Sequence, residues 1–94
     1  MTSIFNPDTI FQRQKEVVFT FLDHEIMLLN PQTGQYYSFN KVGAYIWELL
    51  AKPTSYNELI VSLQAKFDVE KEKCETDTKK FLTLLLDKHL IEIA

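Results

Sequence analysis

Apolar residues recur along this chain with two periods, and the change falls at Asn40. Upstream, residues 17–22 are rich in β-branched and aromatic side chains, and residues 26–29 form a second apolar run. The short polar link Asp23-His24-Glu25 between them suits a hairpin. Asn30-Pro31-Gln32-Thr33-Gly34 is a second reverse turn, with Gly34 free to take φ > 0. It leads into Gln35-Tyr36-Tyr37-Ser38-Phe39, a strand by propensity because three of its five residues are aromatic. Three short strands joined by tight turns predict an antiparallel meander. From Asn40 the spacing becomes helical: Val42, Tyr45, Ile46, Leu49 and Leu50 share a stripe, Asn40 can cap it and Pro53 closes it. Gly43 costs a helix about 1 kcal/mol relative to Ala, which a close contact with the sheet would explain. Trp47 reads as core. Ser55-Tyr56-Asn57-Glu58 is a capping box for a second helix striped by Leu59, Ile60, Leu63 and Phe67. A third helix is expected from Glu70 or Lys71 to about Lys88, and residues 91–93 as a short extended end.

Two features of this pattern bear on function. The last strand of a meander has an outer row of unpaired N–H and C=O groups, a template for another strand. On that strand Tyr37 and Phe39 share one face and Tyr36 and Ser38 the other, with the register undecided. In the third helix, Cys74, Thr78, Phe81 and Leu85 fall within about 60° of one another and form the expected core stripe. Leu82 and Leu86 widen it, while Leu84 lies on the other side beside Asp77 and Lys88. The apolar arc spans roughly 200°, against the ~100° that a surface helix needs, so either one rim faces something else or a small domain wraps its last helix deeply.

Ninety-four residues make one domain with one modest core. Residues 1–16 read as a weakly specified N-terminal arm, with a turn at Pro7-Asp8 and a short extension of the sheet at Ile10-Phe11; the domain proper spans 17–94. Net charge is −3, which is not the basic footprint of a nucleic-acid binder. No apolar run is long enough to span a bilayer, and the N-terminus lacks the charged start and apolar block of a secretory signal, so a cytoplasmic protein is expected. One cysteine excludes an intrachain disulfide, and two distant histidines, His24 and His89, give a metal site little to build on. Two glycines leave no phosphate-cradling loop, and no Gly-x-Ser-x-Gly or His-Glu-x-x-His occurs. Cys74, inside an apolar stripe, reads as an inert thiol. No enzyme, metal or cofactor is expected.

Three strands followed by three helices, the last two a helix-turn-helix, describe an α+β fold like a winged helix. Within it, the run 27–50 holds Leu28-Leu29-Asn30, Gly34-Gln35-Tyr36-Tyr37 and Phe39-Asn40-Lys41-Val42-Gly43-Ala44-Tyr45-Ile46-Trp47-Glu48-Leu49-Leu50. This resembles the PqqD-like family, and Tyr56 to Ile60, Phe67-Asp68-Val69, Asp77 to Leu82 and Leu90-Ile91 fit as well. The resemblance covers about residues 17–93. It departs at His89, where the family often has Gly, and in the N-terminal arm.

The resemblance implies a non-catalytic recognition element for ribosomally made, post-translationally modified peptides. Such an element binds the leader segment of a precursor peptide and presents it to a modifying enzyme or leader peptidase. The pattern looks more like the stand-alone elements of lasso-peptide systems than the pyrroloquinoline-quinone pathway protein. In the family the leader adds as a strand beside the third strand and packs against the third helix. Carried over, the edge is Gln35, Tyr36, Tyr37, Ser38 and Phe39, and the helix rim is drawn from Asp77, Lys80, Phe81, Leu84, Leu85 and Lys88. Phe39 and Phe81 read as core more than contact, and Leu84 is the sharpest contact. Two other readings stand beside this one. A DNA-binding winged helix needs a basic recognition helix, yet Glu70, Glu72, Glu75, Asp77 and Asp87 lie among the lysines here. A small enzyme using Cys74 needs a reactive thiol. An exposed edge also invites a homodimer by strand exchange or edge pairing.

Overall fold

The computed structural model describes residues 6–94; the first five residues of the expected arm lie outside them. Its elements are β1 (Ile10–Arg13), β2 (Val18–Leu22), β3 (Glu25–Asn30), β4 (Gln35–Phe39), α1 (Lys41–Leu49), β5 (Thr54–Ser55), α2 (Tyr56–Lys66), α3 (Lys71–Asp87) and β6 (Ile91–Ile93). β2, β3 and β4 form the expected antiparallel meander, in that spatial order. The α+β arrangement of three strands and three helices is borne out. A second small sheet, ordered β5-β1-β6, joins the two ends of the domain.

That second sheet changes the reading of residues 10–13. Instead of extending the meander they form the central strand of the other sheet, and Phe11 is wholly buried. Their order comes from docking rather than local propensity. Arg13 reinforces it: Nε donates to the Trp47 carbonyl at 3.0 Å, Nη2 donates to the same oxygen, and the guanidinium sits 4.8 Å from the Trp47 ring and 4.7 Å from the Phe19 ring. Trp47 is core, 1% exposed.

The caps read from the sequence form. Asn40 Oδ1 accepts from the N–H groups of Val42 and Gly43, both at 3.1 Å. Ser55 Oγ accepts from the Glu58 N–H at 3.1 Å, and Glu58 Oε1 accepts from the Ser55 N–H at 3.0 Å. The Ser55 N–H, helped by the Ser55 side chain, holds the Glu58 carboxyl below its usual range. Along α3 the buried residues are Cys74, Thr78, Leu82 and Leu85, so the expected core stripe holds at three of its four positions and Leu82 takes the place of Phe81. Phe81 is half-buried at its rim. Among the described residues no helix is long and apolar enough to cross a membrane.

α3 ends in a Schellman motif. The Leu90 N–H donates to the Leu85 carbonyl at 2.9 Å and the His89 N–H to the Leu86 carbonyl at 3.1 Å, with His89 at φ 59°. That position favours glycine, because a Cβ in the left-handed region crowds the backbone by roughly 1–2 kcal/mol. Here His89 carries the strain while Leu90, fully buried, clamps the turn to the core. The substitution His89→Gly is therefore expected to stabilise the domain by about 1 kcal/mol, a rise of roughly 4–8 °C in Tm. An unchanged or lower Tm in thermal unfolding contradicts this account of the turn.

Candidate functional site

β4 is an edge: among the described residues its one strand partner is β3. Register decides which way its side chains point. Phe39 stands opposite Ile26, Tyr37 opposite Leu28 and Gln35 opposite Asn30, and all three β3 residues are buried. Phe39, Tyr37 and Gln35 therefore face the helices, while Tyr36, 67% exposed, and Ser38 face outward.

Two contacts fix β4 relative to α3. At one end, Asn30 is 4% exposed; its Nδ2 donates to the Lys88 carbonyl at 3.4 Å and its Oδ1 accepts from the Gln32 N–H at 2.9 Å. This ties the β3–β4 turn, completed by Gly34 at φ 73°, to the last turn of the helix. At the other end the Phe39 and Phe81 rings meet edge to face, centroids 4.9 Å apart. The pair closes over Gly43, where a Cβ would lie 2.7 Å from Phe39 Cβ and 3.1 Å from Phe81 Cζ. The close sheet contact expected from a glycine inside a helix is thus present.

Beside this contact opens a cleft of about 440 Å³, lined by Ser38, Phe39, Asn40, Val42, Gly43, Ile46, Asp77, Thr78 and Phe81. It gathers Ser38, Phe39, Asp77 and Phe81 of the expected site. Asp77, Phe81, Leu84 and Lys88 recur at helical spacing along one face of α3, over a rise of roughly 16 Å. A five-residue strand spans about 17 Å, so the stripe matches the β4 edge in length. Leu84 is 40% exposed, Lys80 is exposed and Lys88 is half-buried, all beyond the cleft lining. Leu85 is fully buried and can only support the groove from within. The lining from α1, Val42 and Ile46, was not expected; Gly43 was its one signal in the sequence.

What this region offers is a shaped cleft and the main-chain groups of an edge strand. Asp77 is paired with Lys73 at 3.2 Å on the surface, worth only tenths of a kcal/mol. Burial pushes the Cys74 thiol up, opposed in part by its contact with the Thr78 hydroxyl and reinforced by Glu75 and Asp77. It stays protonated at neutral pH and is not a ready nucleophile. Among the described residues no group of three or more His, Cys, Asp and Glu side chains is placed to hold a metal ion.

The family model for coenzyme PQQ synthesis protein D (PqqD) matches residues 25–91, from the start of β3 to the first residue of β6. The chain belongs to the PqqD family. The resemblance read from residues 27–50 is borne out, and the matched span holds both β4 and α3 of this PqqD-family chain. Among solved structures it is similar to "TbiB1 in Complex with the TbiA(beta) Leader Peptide", at 33% identity and TM-score 0.80, over 86% of this chain and 94% of that one. It also matches "Lasso peptide synthetase B1 complexed with the leader peptide", at 23% identity and TM-score 0.76, over 87% and 96%. The second likeness is one of fold. A comparison with curated proteins returned no match.

Two outcomes check this geometry. Gly43→Ala should improve helix propensity by about 1 kcal/mol yet lower stability by about 1–3 kcal/mol through overpacking against Phe39, with shifted Phe39 and Phe81 ring resonances. A stabilised variant with unmoved rings would refute the contact. Cys74 should react with a thiol reagent only at the rate of global or local opening; fast stoichiometric labelling of the folded domain would contradict its burial.

Proposed function

We propose that this PqqD-family chain binds the leader segment of a ribosomally made, post-translationally modified precursor peptide and presents it to a partner modifying enzyme or leader peptidase. The leader adds to the free edge of β4, and its inward side chains meet the α3 stripe and the cleft beside Phe39 and Phe81. The observation that carries this reading is the pairing of an open strand edge with a helix stripe of the same length. Main-chain hydrogen bonds to the edge supply register and affinity, while alternate side chains supply specificity.

The likeness to TbiB1, solved with a leader peptide, supports this assignment. The Gly34-Gln35-Tyr36-Tyr37 and Ile46-Trp47 pattern favours a lasso-type system over quinone-cofactor biosynthesis. Within it, Gln35 to Phe39 supply the edge, and Asp77, Phe81, Leu84 and Lys88 supply the facing side, with Lys80 at its margin. Leu85 holds the helix in place from the core and makes no direct contact. The protein acts as a carrier, without chemistry of its own. The cationic recognition helix needed by a DNA-binding winged helix is lacking: α3 carries Lys71, Lys73, Lys79 and Lys80 against Glu72, Glu75, Asp77 and Asp87.

Leu84 separates binding from folding, since its side chain is exposed. Leu84→Asp should leave thermal unfolding within about 0.5 kcal/mol of the parent. Leader affinity, measured by titration calorimetry at moderate salt, should fall by roughly tenfold or more, about 1.4 kcal/mol. Unchanged affinity would remove Leu84 from the interface, and absence of saturable binding by the parent chain to any cognate leader would remove the proposal.

A further inference from the structure

β2 is the other free edge of the meander, and its one strand partner among the described residues is β3. All five of its residues are exposed, with Val18 at 56%, Phe19 at 38%, Phe21 at 45% and Leu22 at 50%. Soluble proteins normally blunt such an edge with a charge, a proline or a bulge. Val-Phe-Thr-Phe-Leu contains no charge and no proline, and its register against β3 runs unbroken from Val18↔Leu29 to Leu22↔Glu25. The strand also precedes the residues that match the PqqD family model, and the leader reading makes no use of it.

We propose that β2 is the interface of a two-fold homodimer, pairing antiparallel with β2 of a second copy about Thr20. The strand is chemically symmetric around its centre. A Thr20-centred register sets Phe19 opposite Phe21 of the second copy, Val18 opposite Leu22, and Thr20 opposite itself. A two-fold axis normal to the sheet keeps the faces matched. Phe19 and Phe21 stand opposite the buried Leu28 and Ile26 in β3, so aromatic pairs form on the helix side and aliphatic pairs on the outer face. Neighbouring registers are worse, because centring on Phe21 runs the ladder into the turn at Asp23-His24 and centring on Phe19 runs it past Val18 toward the turn at Lys15-Glu16.

Space agrees with the Thr20-centred choice. A cleft of about 420 Å³ opens at the Phe21 end of this edge, lined by Phe21, Ala44, Tyr45 and Phe67 together with five charged or histidine side chains, which leaves room for the second copy's side chains there. The result is a continuous six-stranded sheet with both β4 edges at its outer ends. One dimer would thus present two vacant edges, whatever occupies them.

Sedimentation equilibrium on the full chain, from micromolar to near-millimolar concentration, tests this. A reversible monomer–dimer equilibrium is expected. Thr20→Lys, at an exposed position, should weaken it by roughly tenfold or more by setting two lysines face to face, with circular dichroism unchanged. As a second readout, Thr20→Cys should form a covalent dimer on mild oxidation, while Ser38→Cys on the β4 edge should not. A chain that stays monomeric throughout leaves β2 to a different occupant, such as a segment of a partner enzyme, and overturns the proposal. A dimer indifferent to Thr20→Lys, or one cross-linked through Ser38→Cys instead, overturns it equally.

Discussion

The contact of Phe39 with Phe81 over the bare backbone of Gly43 sets the distance between strand and helix on which the rest depends. An aromatic pair of this geometry contributes about 0.5–1.5 kcal/mol beyond its buried area. Its larger effect is geometric. The missing Cβ at Gly43 lets the ring of Phe39 settle against α1, and Phe81 then brings α3 alongside. With the Asn30 bridge to the Lys88 carbonyl at the far end, β4 and the stripe from Asp77 to Lys88 are held as two walls of one groove.

An edge strand held this rigidly is preorganised for a guest. Each net main-chain hydrogen bond is worth about 0.5–1.5 kcal/mol, and ordering an extended peptide costs about 1–2 kcal/mol per residue for its backbone. Hydrogen bonds alone therefore roughly cancel the ordering cost. Affinity must come from side chains seated along α3, which makes the exposed Leu84 matter more than its modest area suggests. Selectivity then follows from the alternation of the guest strand, one side chain in two meeting the cleft.

Much of this was legible in the chain because it rests on local rules. The meander followed from period-two runs and the turn ending at Gly34, and the helix starts followed from Asn40 and from the Ser55–Glu58 box. What escaped depended on partners far away. β5 and β6 have two and three residues, and β1 pairs with strands some forty to eighty positions later, so no local pattern announces the second sheet. The core stripe of α3 was read correctly at Cys74, Thr78 and Leu85; because Phe81, Leu82, Leu84, Leu85 and Leu86 are all apolar, the burial of Leu82 rather than Phe81 is a tertiary choice. The facing of Phe39 needed the register against Ile26, and the α1 wall of the cleft needed that same register.

The central claim is that the outward N–H groups of β4 are vacant in the free domain and filled by the leader. Amide hydrogen exchange resolved at Gln35–Phe39, in the free chain and with a cognate leader bound, measures this directly. The account predicts that the alternate amides pointing away from β3 exchange fast in the free chain and become protected with the leader, while those paired to β3 stay protected throughout. Outward amides already protected in the free chain, or left unprotected at leader saturation, would contradict it.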